Sequence, residues 1–449
     1  MAAIHFDLIE LGAGNAGMAV AGGARLAGQS VVVIEARDTG GTCPLRGCVP
    51  KQVLVAAAET LDHIATAQQH HIHTGPVTVD WPSLIERKQG FVDGVPAQFE
   101  KSLINQGIEF VNGKAVFVDG QTISVNDQLY QANKFVIATG SKSRSLPVPG
   151  FEHAITSDDI LDMTLLLESI VFIGGGVIAF EFAHVLARAS VKVTILEVMS
   201  RPLSMLDEDG VKNLIDETRR LGVEIITDAN TNSIVSTKSG FDISFELEGR
   251  TNTISTVVVA NGAGRVADID ELSLDAAAVG QTQTGIIVDE YPRSVSNPDV
   301  FVTGDVLATP QLSAVATYEG IIVAHNLTQE QLESPDYSSI PSSVFTLPTL
   351  ASVGLTEAAA TDKGLQFETH INDLRDSRSA KTFAENAAFA KVLVDNSNNN
   401  IVGAHLLGHG TQENIHIFAF AMKYGVTAKE LAQTVYAYPT FASDIKFMV

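Results

Sequence analysis

Cysteine is almost absent: the 449-residue chain has two, Cys43 and Cys48. That excludes a disulfide framework of the secreted kind and leaves a local pair with catalytic, redox or metal chemistry as its use. Basic residues are also scarce, 29 against 52 acidic, for a net charge of -23, which argues against nucleic acid or an anionic membrane as partner. No apolar run approaches the roughly 20 residues needed to cross a bilayer. The opening "MAAIHFDLIEL" lacks a basic leader segment, so the expectation is a cytoplasmic chain without membrane attachment. With 45% hydrophobic and 18% charged residues the chain reads as well packed, and its length calls for two to four domains.

Glycine, by contrast, is placed with a pattern. Residues 6 to 11, "FDLIEL", read as a buried strand running into Gly12, Gly14 and Gly17, then a small-residue helix, then "SVVVIEA" ending at Glu35. Strand, GxGxxG, helix, strand and terminal acid form a dinucleotide-binding unit. Gly12 allows the tight turn, Gly14 the approach of a pyrophosphate to backbone, and Gly17 close packing of helix on strand. The helix N-terminus offers its free N–H groups to phosphate, and Glu35 is expected to accept from ribose hydroxyls. The unit recurs as "SIVFIGGGVIAFEFAHVLARASVKVTILE", with Gly174, Gly176 and Ala179 in the fingerprint places and Glu197 at the end. Glycine-to-acid spacing is 23 residues in both copies. Two dinucleotides are therefore expected. A carboxylate at Glu197 repels a 2′-phosphate, which favours NADH over NADPH, although Arg201 stands four residues on.

Both cysteines fall in "GGTCPLRGCVPKQVL". On one regular helix the axial rise from residue 43 to residue 48 is about 7.5 Å, beyond the ~7 Å limit for a bridge. The segment is therefore predicted to bend, at Pro44 and Gly47. Pro50 suits the first turn of the following helix, whose dipole would favour a thiolate on Cys48, with Arg46 and Lys51 adding positive charge. A metal centre lacks partners: no further cysteine exists, and "QQHHIH" (His70, His71, His73) reads as a solvated stretch. No metal site is expected.

With GGTC-x4-C-x-P-K after the first of two dinucleotide units, the chain resembles the pyridine nucleotide-disulfide oxidoreductases of the glutathione reductase and dihydrolipoamide dehydrogenase type. "KFVIATGSKSRSLPVPG", "ANGAGRVADID", "VFVTGDV", "FTLPTLASVGLTEAAA" and "IVGAHLLGHGTQENI" resemble further family segments along the whole length. The resemblance implies an α/β fold of two Rossmann-like domains and an α+β C-terminal dimerisation domain. It implies an FAD domain over residues 1–155 and 272–337, an NAD(P) domain over 156–271 and an interface domain over 338–449. Gly41, Thr42, Lys51, Thr139, Gly140 and Asp305 would join the first loop in holding FAD; Glu181 and Gly262 would join the second in holding NADH or NADPH. Electrons would pass through the flavin to a Cys43–Cys48 disulfide, with Cys48 nearest the ring and Cys43 the exposed interchange thiol. Lys51 and Glu181 stand where the family keeps an ion pair beside the flavin, and Val177 replaces an aromatic gate. A homodimer is implied, reducing a small-molecule disulfide or another acceptor.

The tail departs from the pattern. Where the family closes with His-Pro-Thr-x-x-Glu, this chain reads "YPTFASD", with Tyr438 at the histidine place, Ser443 at the glutamate place and Asp444 after it. Histidine titrates near neutrality and tyrosine near 10, so tyrosine is a poor base for an interchange thiol and a better hydrogen-bond donor. Mercuric reductases share this tyrosine, which opens a metal-ion, quinone or oxidant acceptor as an alternative, but this chain lacks the C-terminal cysteines that deliver the metal. A flavin-bound redox sensor without efficient turnover is a further alternative.

Overall fold

The computed structural model describes residues 2–282 and 285–449. Two compact units emerge. One comprises residues 1–53, 85–144 and 265–336, the other residues 54–84, 145–264 and 337–449.

In the first unit, strand β1 (Ile4–Leu11), helix α1 (Asn15–Leu26) and strand β2 (Val31–Glu35) form the expected βαβ turn. The short helix α2 (Thr42–Arg46) follows, then the start of α3 (Cys48–Thr66). Strands β3 (Glu109–Asn112), β4 (Val116–Asp119), β5 (Thr122–Val125) and β6 (Gln128–Ile137) complete most of a sheet of order β3-β2-β1-β6-β5-β4. β1 is parallel to β2 and β6 and lies inside the sheet, which is why Leu8, Ile9 and Leu11 have no polar alternation and are buried.

The second unit repeats the plan. Strand β7 (Ser169–Ile173), helix α4 (Val177–Arg188) and strand β8 (Lys192–Leu196) are followed by helix α5 (Glu208–Arg220), then β9 (Glu224–Ile226) and β10 (Val258–Asn261), in the parallel order β9-β8-β7-β10. The chain then returns to the first unit, where β11 (Val300–Val302) pairs in parallel with β6 and helix α6 (Ser313–Thr328) packs on α1. Small residues make that packing close: a methyl group at Gly320 would lie 2.5 Å from the Ala16 carbonyl oxygen, and one at Gly23 would lie 2.6 Å from the Ala324 methyl carbon.

The C-terminal part of the second unit is an antiparallel sheet of β12 (Ser342–Val344), β13 (Thr349–Gly354), β14 (Phe367–Asp373), β15 (Phe389–Asp395) and β16 (Ile401–Gly408), backed by helix α7 (Thr411–Tyr424), in the order β12-β13-β16-β15-β14. α5 is tied to this sheet by a buried cation. Lys391 on β15 is 1% exposed, and its Nζ meets Asp207 at 3.1 Å, Asp209 at 2.6 Å and Glu357 at 2.5 Å. Burial alone would depress the ammonium; the three carboxylates outweigh it and push its pKa up. Lys391→Met would leave the buried Asp207 without its ammonium partner, beside Asp209 and Glu357. We expect a loss of about 3 kcal/mol, read as a thermal unfolding midpoint several degrees lower; an unchanged midpoint would show that the cluster does not hold α5 to the sheet.

Candidate active site

Each βαβ unit closes its glycine loop in the same way. Gly12 and Gly174 have φ of 118° and 101°, open only to glycine, and the backbone of the neighbouring strand end leaves no space for a side chain. At Gly12 a methyl group would lie 2.3 Å from the Ala138 oxygen; at Gly174 it would lie 2.6 Å from Gly262. Gly14 and Gly176 precede α1 and α4 in the same extended conformation, φ −81° in both. Ala179 replaces the third glycine, and a methyl at Gly262 would approach its own to 3.0 Å, so the alanine requires a glycine opposite.

The terminal acids hold these loops. Glu35 accepts from the N–H of Ala13 and of Arg37, both at 2.8 Å. Glu197 accepts from the N–H of Gly175 at 2.6 Å and of Met199 at 2.7 Å. The expected ribose contact would therefore use the remaining lone pairs of carboxylates already fixed by the backbone. Arg201 donates to the carbonyls of Ser204 at 2.8 Å and Leu206 at 3.1 Å, so its guanidinium is occupied within its own loop.

The dithiol segment lies on the first of these loops. The N–H of Gly40 bonds the Ala13 carbonyl at 3.0 Å, and Gly41, φ 73°, rests against Gly14, where a methyl would be 2.7 Å from its Cα. Helix α2 starts at Thr42 and carries Cys43; it breaks at Gly47, and α3 begins at Cys48 with Pro50 and Lys51 in its first turn. The bend required by the spacing is thus present at Gly47, whereas Pro44 lies within α2. Both sulfurs are free thiols here, and the expected exposure is reversed: Cys43 is half-buried and Cys48 exposed.

Their protonation differs. The Cys48 thiol donates to Cys43, and hydrogen bonds from Ser313 and Asn15 and from the Cys48 N–H join it, lowering Cys43 to about 6 against the opposing effect of burial. Donation to Cys43, burial and repulsion by the Cys43 charge push Cys48 up, with Lys51 opposing. The helix dipole was expected to place the thiolate on Cys48. The N–H of Cys48 at the α3 N-terminus favours both thiolates, and three side-chain donors converging on Cys43 decide between them. Arg46 forms an ion pair with Asp38 at 2.9 Å.

Asn15 and Ser313 escaped the sequence analysis. Their side chains are hydrogen-bonded to each other across 298 residues, at the starts of α1 and α6. Asn15 fills a variable place in the fingerprint, which was its only signal. Glu10 was also missed: fully buried in β1, with no hydrogen-bond partner among the described residues, it has its carboxyl pushed well above the usual range by burial.

The other predicted residues fall as follows. Thr139 and Gly140 follow β6; the Thr139 hydroxyl is buried without a partner among the described residues, and Gly140 has φ 73°. Asp305, in a turn after β11, has its carboxyl raised by burial against the opposing Arg265 charge and the hydrogen bond from Ser141 Oγ at 3.2 Å. Glu181 on α4 is buried and accepts from the Phe345 N–H at 2.9 Å. Tyr438 is 66% exposed. Ser443 is buried and donates its hydroxyl to the Thr440 carbonyl at 2.6 Å, so it is used within its own turn. No helix among the described residues is long and apolar enough to cross a membrane.

Two glycine loops, each closed by an acid and one carrying a dithiol, define a flavin- and nicotinamide-type disulfide oxidoreductase. Residues 6–320 match the pyridine nucleotide-disulphide oxidoreductase family model and residues 340–449 match its dimerisation domain, so the chain belongs to that family. It is 30% identical over 443 residues to dihydrolipoyl dehydrogenase of Geobacillus stearothermophilus, covering 98% of this chain and 94% of the relative. It is 30% identical over 440 residues to glutathione reductase of Burkholderia cepacia, covering 98% and 97%. Among solved structures, the HOCl-induced flavoprotein disulfide reductase RclA from Escherichia coli superposes with a TM-score of 0.88 at 25% identity, covering 98% of this chain and 99% of that one.

The family uses FAD and NAD(P)H. The residues of the first unit fit FAD: a cradle at Gly12, Gly14 and Gly41 that any Cβ would narrow and, among the described residues, a buried Thr139 hydroxyl without a partner and an α1 N-terminus without a side-chain cap.

The thiol asymmetry has a direct consequence. In reduced holoprotein at pH 7, iodoacetamide is expected to label Cys43 first, as read by peptide mass. Ser313→Ala removes one donor and should slow labelling by several-fold; equal labelling of both cysteines would contradict the assignment.

Proposed function

We propose that this chain is a cytoplasmic, homodimeric disulfide reductase that takes electrons from NADH and delivers them through Cys43 and Cys48 to a low-molecular-weight disulfide. The observation that carries the reading is the polarised dithiol, with its thiolate at Cys43 and its proton on Cys48. Bound FAD would supply the two-electron link from nicotinamide to the cysteine pair.

The remaining steps belong to the chain's own groups. The Cys43 thiolate attacks one sulfur of the acceptor, giving a mixed disulfide and releasing one thiolate. Cys48 then loses its proton and attacks Cys43, re-forming the internal disulfide and releasing the second thiol. Two electrons pass to the acceptor with the Cys48 proton, which leaves on the second thiol, and the first released thiolate takes its proton from water. Lys51, whose charge favours ionisation of Cys48, eases this second attack. The exposed phenol of Tyr438, in place of a histidine, supports a hydrogen-bonding role toward a leaving thiolate across the dimer rather than a base.

NADH preference rests on Glu197 being fixed at the strand end while Arg201 is held by its own loop. A 2′-phosphate beside that carboxylate is expected to cost at least about 1.4 kcal/mol, or tenfold in kcat/KM. The decisive test is Cys43→Ser. Disulfide turnover should fall by about 10³-fold or more, the scale of losing a nucleophile, while NADH still bleaches the flavin absorbance anaerobically. A variant that retains full disulfide reductase activity would refute the relay.

A further inference from the structure

Away from the dithiol, the second unit gathers three metal-ligating side chains that the sequence holds far apart. Glu59 and His63 are four residues apart on α3 and share one face of it. His409 lies between β16 and α7, some 350 residues later in the chain. One ligand atom from each lies within 4.8 Å of the other two. A tetrahedral ion with bonds near 2.0–2.1 Å holds its ligand atoms about 3.3 Å apart. The remaining contraction is within reach of a rotamer adjustment, since His63 is exposed.

His409 is the fixed member. Gly408 and Gly410 flank it with φ of 147° and 69°, so the loop has a conformation that only its glycines favour. Its ring stacks on Phe383 at 5.6 Å with planes 9° apart and meets Phe441 at 4.9 Å. Glu385 Oε1 lies 3.6 Å from its Nδ1, the place of a carboxylate that orients a metal-binding imidazole. A cavity of about 230 Å³ adjoins the cluster, lined by His63, His70, Phe383 and Glu385 among others. His70, read from sequence as solvated, thus borders the same space.

We propose that Glu59, His63 and His409 bind one divalent transition-metal ion of the Zn²⁺ or Cu²⁺ type, with water completing its shell, and so clamp α3 to the loop ahead of α7. Two imidazoles and one carboxylate suit such borderline ions and not Mg²⁺ or Ca²⁺, which take all-oxygen shells. Glu59 is about three turns beyond Cys48 along α3. The ion is therefore a resident of the scaffold rather than a ligand of the dithiol.

The test uses tag-free holoprotein with Cys43 and Cys48 oxidised, so that thiols cannot chelate, titrated calorimetrically with Zn²⁺. One equivalent per chain at micromolar or tighter affinity is expected. His63→Ala, at an exposed position where folding is not at risk, should weaken binding at least tenfold; Glu385→Gln should weaken it by about tenfold. With Cu²⁺, the paramagnetic resonance spectrum should show coupling to two imidazole nitrogens and lose one of them in His63→Ala. Absence of a stoichiometric equivalent in the wild type overturns the proposal. So does binding that survives His63→Ala unchanged, or binding abolished only when His70, His71 and His73 are all replaced. Neither the titration nor the spectrum depends on turnover, so the result stands apart from the disulfide reductase reading.

Discussion

Backbone resting on backbone at Gly14 and Gly41 is the constraint on which the site depends. A methyl on Gly41 would stand 2.7 Å from the Gly14 Cα, so this contact exists only between glycines. It lays the dithiol segment on the nucleotide loop and puts Cys43 where the Asn15 amide can reach its sulfur. α6, packed on α1 through alanine and glycine, brings in Ser313 from the other side. A pKa near 6 for Cys43 is thus the end of a chain of steric requirements. The hydrogen bonds supply the shift, and the glycines supply the distances.

The same economy appears in the paired loops. Glu35 and Glu197 each span 22 residues to bond the N–H after the first fingerprint glycine, then bond the N–H two residues beyond themselves. An acid at that strand end is commonly read as a cofactor contact. Here it is first a clasp that sets the loop before any ligand arrives. Preorganisation of this kind lowers the ordering cost of binding. The two units differ where their chemistry does, since only the first carries cysteines.

Legibility in the sequence followed the range of the interaction. Both fingerprints, both acids and the break at Gly47 were readable because each is fixed within about 25 residues by steric rules that apply to any chain. The donors to Cys43 were not, because Asn15 and Ser313 are 298 positions apart and meet only once α1 and α6 have packed. The same holds for Glu59 and His63 with His409. The helix dipole argument located the right helix end and the wrong sulfur. A half-charge at a helix terminus is a weaker influence than three converging side-chain donors. Ser443 shows the converse: its place in the tail suggested a substitute for a catalytic carboxylate, and its hydroxyl is instead bonded to the Thr440 carbonyl in its own turn.

Because the chain has only two cysteines, labelling them with ¹³C at Cβ gives a spectrum of two side-chain signals. A pH titration of the reduced holoprotein followed by those signals tests the polarised dithiol most directly. The account predicts one signal, assigned to Cys43 by its loss in Cys43→Ser, moving with a midpoint near 6, while the other stays protonated beyond the ordinary thiol range. Two signals titrating together in the ordinary thiol range, or Cys48 ionising first, would contradict it.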